Sequence, residues 1–76
     1  MYEYISAVIQ HAVYESDTDG STYAHVTLVW PIEAQGRTYK ECAAALRLRV
    51  QQAVIDAQHT GAALPSINGV QPPALN

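Results

Sequence analysis

The sequence predicts a small α+β domain, an antiparallel three- to four-stranded sheet in β-β-β-α-β order with one long helix packed on one face. Three observations carry this expectation. Apolar and polar residues alternate on both sides of an acidic turn that ends in Asp19-Gly20. A capping pattern opens at Thr38, and no Gly or Pro interrupts the chain from Tyr39 to Gln58.

Residues 4–14 read as the first strand, because Ile5, Ala7, Ile9 and Val13 are apolar while Ser6 and Gln10 between them are polar. Glu15-Ser16-Asp17-Thr18-Asp19-Gly20 is a hairpin turn, with Gly20 able to take a positive φ. Residues 22–30 form the second strand, with Ala24, Val26, Leu28 and Trp30 as its buried side. Pro31 has no amide to give to a central ladder, so Ile32 to Gln35 is at most a short third strand, closed by Gly36. Thr38-Tyr39-Lys40-Glu41 fits a capping box, Thr38 as N-cap and Glu41 reaching back to its amide. The helix runs from Tyr39 to about Gln58, Gly61 is its C-cap, and Pro65 ends any continuation. A short fourth strand is expected around Leu64 to Val70. Residues 1–67 make the domain and 68–76 a flexible, Pro-containing tail.

At about 100° per residue, Tyr39, Cys42, Ala43, Leu46, Val50, Ala53, Val54 and Ala57 fall on one stripe that should cover the sheet. Leu48 and Ile55 lie opposite, flanked by Ala44. They are either isolated exposed aliphatics, which need no explanation, or a second stripe used in self-association.

Length and composition exclude several classes of function. A chain of 76 residues is one domain, and such a chain buries only about 60% of its unfolded surface, which leaves the core marginal. Its single cysteine forbids an internal disulfide and a multi-cysteine metal site. Oligomerisation or a bound partner is the support that remains, so a homo-oligomer, dimer or higher, is expected. A net charge of −3 with four Lys and Arg argues against direct nucleic-acid binding. No apolar run reaches the ~18–20 residues of a membrane span and the start lacks a basic leader, so a cytoplasmic protein away from membranes is expected.

Catalytic and metal chemistry find little footing. His11, His25, His59 and Cys42 are the soft ligands, and they show neither the i,i+4 nor the C-x-x-C spacing of a zinc site. Cys42 reads as a small buried hydrophobe. The segment carrying Glu15, Asp17 and Asp19 is too short for an EF-hand loop, and no downstream bidentate Glu follows it. No phosphate loop, nucleophile elbow or carboxylate cluster is present. No enzyme activity, cofactor or metal is expected.

The order of features resembles the HicB-like antitoxin family. The resemblance rests on Asp17-Thr18-Asp19-Gly20, on Tyr23-Ala24-His25-Val26, on Gly36-Arg37-Thr38-Tyr39-Lys40-Glu41-Cys42, and on Gly61 with Leu64-Pro65 after the helix. It covers roughly residues 5–67. It implies a domain similar to a truncated RNase H fold that neutralises a small HicA-type mRNA-cleaving toxin by direct binding. The chain departs from the family by having Val29-Trp30-Pro31-Ile32 where a Pro-Gly element is usual. The eleven residues after Pro65 are too few for the DNA-binding segment of longer members. If the toxin reading holds, Glu15, Asp17 and Asp19 are the expected toxin-facing acids; with or without it, Leu48, Ile55 and Ala44 are the expected oligomer or partner surface. The alternative is an orphan homo-oligomeric scaffold or regulatory domain with another partner.

Overall fold

The computed structural model describes residues 1–73, and the end of the expected tail, residues 74–76, lies outside the described residues. The chain is α+β, with helix α1 (Tyr2–Ile9), strands β1 (Val13–Ser16), β2 (Thr22–Thr27) and β3 (Pro31–Gly36), and helix α2 (Tyr39–Thr60). The strands form one antiparallel sheet in the order β1-β2-β3. Val13 pairs with His25 and Ser16 with Thr22 on one side of β2, Thr22 with Gly36 and Val26 with Ile32 on the other. The element order is therefore α-β-β-β-α rather than β-β-β-α-β.

The expected first strand is the main correction. Most of residues 4–14 belong to α1, and only Val13 and Tyr14 of that run are in a strand. The run satisfies both periods: Ile5, Ala7 and Ile9 alternate, but Tyr4, Ile5 and Val8 also sit at helical spacing. Burial follows the helix, since Tyr4, Ile5, Ala7 and Val8 are buried and Ile9 is only half-buried. An eight-residue helix is marginal alone, and Met1 at its N-cap supplies no side-chain bond. Packing against α2 holds it, with Arg47 Nη2 donating to Ser6 Oγ at 3.3 Å and the guanidinium 5.0 Å from the Tyr2 ring centre.

The second strand ends three residues early. The chain reverses at 28–30, where the Leu28 amide donates to the Trp30 carbonyl at 3.3 Å, so Leu28 is half-buried and Trp30 is 38% exposed. Pro31 then opens β3, which is tolerated because β3 is an edge.

Helix α2 has the expected limits within two residues. The Thr38 hydroxyl accepts from the Glu41 amide at 3.1 Å, while the Glu41 carboxylate takes the Arg37 amide at 3.1 Å rather than that of Thr38. Gly61 closes the helix at φ 75°, its amide bonded to the Ala57 carbonyl. Cys42, Leu46, Val50, Ala53, Val54 and Ala57 are buried as the stripe requires, against Ala24, Val26, Ile32 and Ala34 of the sheet. Tyr39, assigned to the same stripe, is 61% exposed, its ring 4.6 Å from that of Tyr14. Gly36 lets the end of β3 approach α2 closely: a Cβ there would lie 2.9 Å from Cys42 Cα and closer still to its amide nitrogen.

After α2 the chain returns along both helices. The Tyr4 hydroxyl donates to the Pro65 carbonyl at 2.6 Å, and Gln58 Nε2 donates to the Pro73 carbonyl at 2.9 Å. In place of a fourth strand there is one antiparallel bridge, Ile67 with Val70, closed over Asn68 and Gly69 at φ 51° and 79°. Asn68 lies against the end of α1, its Oδ1 3.1 Å from His11 Nε2 and its amide group donating to Gln10.

Candidate functional site

With both helices on one side of the sheet, the other side is open. Strand alternation sends Ala24, Val26, Ile32 and Ala34 to the core, so Val13, Glu15, Tyr23, His25, Thr27, Glu33 and Gln35 line the open face. At its centre the Tyr23 and His25 rings are half-buried and 5.9 Å apart, tilted by 52°. The register sets Glu15 and Gln35 on either side of Tyr23, and Val13 and Glu33 on either side of His25. The Glu33 carboxylate beside the Tyr23 hydroxyl holds that phenol above its ordinary pKa.

The expected toxin-facing acids meet this face at one end. Glu15 stands on it, whereas Asp17 and Asp19 occupy the turn beyond β1 and β2. Asp17 Oδ1 accepts the Thr18 amide at 2.9 Å, and Asp19 Oδ1 accepts the Ser21 hydroxyl at 2.6 Å and the Ser21 amide at 2.9 Å. The Ser21 hydroxyl, then its amide, lower the Asp19 pKa. Both turn acids thus shape the hairpin while keeping their charge at the rim. Sequence reasoning missed Glu33, Tyr23 and His25. The signal lies in positions 23, 25, 27, 33 and 35, polar or aromatic between the apolar even positions 24, 26, 32 and 34.

Acidic residues dominate the open face, and Arg49 of α2 borders it beside Glu33 and Gln35. Of seven acidic residues, Glu15, Asp17, Asp19 and Glu33 lie on the open face or its turn, while Arg37, Lys40, Arg47 and Arg49 all lie on the β3–α2 connection or on α2. No Lys or Arg lies on the three strands.

The other expected residues are elsewhere. Leu48 is 68% exposed on the outer side of α2, with Ala44 exposed and Ile55 half-buried beside it. The three histidines and Cys42 are not brought together: His11 follows α1, His25 is on the open face, His59 is in the last turn of α2, and Cys42 is buried beneath β3. The Cys42 thiol faces the Ala34 carbonyl at 3.7 Å, and burial pushes its pKa up, which disfavours the reactive thiolate. Among the described residues, no three His, Cys, Asp or Glu side chains converge as metal ligands, and no helix is long and apolar enough to cross a membrane.

Compared with protein-family models, curated proteins and solved structures, the chain matches none.

Proposed function

We propose that this protein is an antitoxin-like binding module that neutralises a small, basic HicA-type RNA-cleaving toxin by covering it, without catalysis of its own. The observation that carries the reading is the dominance of acidic charge on one face: an open sheet rimmed by Glu15, Asp17, Asp19 and Glu33, with every Lys and Arg kept off the strands. A face of one sign attracts a partner of the other and speeds its encounter. Tyr23 and His25 in the middle supply flat, partly apolar contact area with polar tips, the composition found at the centre of interfaces.

The HicB-like pattern of hairpin, short third strand and capped helix supports the same reading from residue 13 onward, with α1 standing where that pattern has most of its first strand. The acidic face also favours protein binding over nucleic-acid contact, since phosphates would be repelled. Co-expression supplies the test. Growth arrest caused by a HicA-type toxin should be relieved by this protein, and the two should co-purify. Continued arrest with both proteins soluble and separate would contradict the reading.

A further inference from the structure

A second surface lies on the opposite flank, where the free edge of β3 overhangs α2. A groove of about 530 Å³ runs there between Trp30 to Glu33 and the helix residues Arg49, Gln52 and Asp56. On α2 the residues Ala45, Leu48, Arg49, Gln52 and Asp56 fall within about 100° of arc, turned away from the buried stripe. Beside them three large apolar side chains are exposed: Val29 at 48%, Trp30 at 38% and Leu48 at 68%.

We propose that this flank pairs with the same flank of a second copy about a two-fold axis, the two α2 helices antiparallel. Charge selects both the occupant and the direction. Arg49 and Asp56 are seven residues, or about 10.5 Å, apart along the helix, and with Glu33 of β3 they are the charged groups that line the groove. Antiparallel helices centred near Gln52 and Ala53 set Arg49 of each copy against Asp56 of the other. A parallel arrangement would instead oppose Arg49 to Arg49 and Asp56 to Asp56.

The apolar residues obey the same symmetry. Trp30 lines the groove together with Ala53 and Asp56 of its own copy. Across the axis Ala53 and Asp56 face residues 49 to 52 of the second copy, so Val29 and Trp30 cover its Leu48. Ala44 and Ile55 lie on the rim of the contact.

Direct pairing of the two β3 edges is blocked. Paired strands lie about 4.8 Å apart, while a helix is about 10 Å across, and α2 packs chiefly beneath β3. The helices meet before the strands can. The open sheet face is no alternative for a second copy, because its carboxylates would face one another. An ordinary stable interface takes about 800 Å² from each partner, roughly a sixth of the 5004 Å² this chain exposes.

The pairing is tested on the full chain without any toxin. Sedimentation equilibrium across the micromolar range should find a dimer. Arg49→Asp and Asp56→Arg should each weaken it by at least about tenfold through like-charge opposition, and the double variant should recover it. Circular dichroism confirms that each exposed substitution leaves the fold intact. A second measurement, oxidation of Trp30→Cys/Leu48→Cys, should give a covalent dimer on a non-reducing gel. A wild-type monomer, a dimer indifferent to both reversals, or a double variant no tighter than the singles would overturn the proposal.

Discussion

Replacing Tyr4 should be among the most damaging single substitutions in the chain. Tyr4 is 1% exposed, packs in the core with Ile5 and Val8, and donates its hydroxyl to the Pro65 carbonyl at 2.6 Å. Removing a buried aromatic side chain costs about 3–5 kcal/mol. A 76-residue domain holds about 4–11 kcal/mol in all, so Tyr4→Ala should leave a chain that is largely unfolded or close to it. Tyr4→Phe removes only the hydrogen bond and should cost about 0.5–1.5 kcal/mol. Urea unfolding followed by circular dichroism measures both. Burial also raises the Tyr4 phenol pKa. Its contribution is therefore whole below the unfolded value of about 10 and is lost as the pH rises above it. Tyr4→Phe should flatten the alkaline decline. A strand over 4–14 would put Tyr4 on the side of Ser6 and Gln10, facing solvent. A nearly neutral Tyr4→Ala would restore that reading and refute the helical packing of α1.

Gly36→Ala should destabilise by about 1–3 kcal/mol, because the added methyl meets the Cys42 and Glu41 backbone, which has no flexible end to move aside; unchanged unfolding would mean that β3 and α2 are farther apart. Thr38→Ala should cost about 0.5–2 kcal/mol in the same assay, and no loss would remove the cap. Asp19, held below its ordinary pKa first by the Ser21 hydroxyl, stabilises the hairpin above the unfolded carboxylate range of about pH 4, a contribution lost as the pH falls through its lowered value. Nuclear magnetic resonance titration should show the Asp19 midpoint move upward in Ser21→Ala; an unmoved midpoint would contradict the hydroxyl as its main cause.

The legible parts of this fold are those where one local rule acts alone. Thr38, Glu41 and Gly61 mark the ends of α2 because capping satisfies amides and carbonyls whatever the rest of the chain does. The even positions 24, 26, 32 and 34 mark the buried sheet side because Pro31 and the polar odd positions leave no other register. Residues 4–9 were illegible because six residues can fit both a period of two and one of 3.6, and the choice lies with α2, forty residues away. Trp30 was misplaced because a strand's alternation carries on paper through a turn that reverses the chain in space. The Asn68-Gly69 turn carries a readable hairpin signal within the proline-rich tail. Of the candidate site, the acidic turn was visible as a run of residues. The face it borders was not, since Glu15 and Glu33 meet around Tyr23 and His25 only once three strands are in register.

The claim that the open acidic face receives a basic partner is tested most directly by association kinetics with a HicA-type toxin at low and high salt. Glu15→Gln/Glu33→Gln should slow association at low salt and flatten its salt dependence. Glu3→Gln, which removes one of the same charges from α1 on the helical side, should change neither. Equal effects from the face and helix variants, or an unchanged on-rate in the face variant, would contradict it.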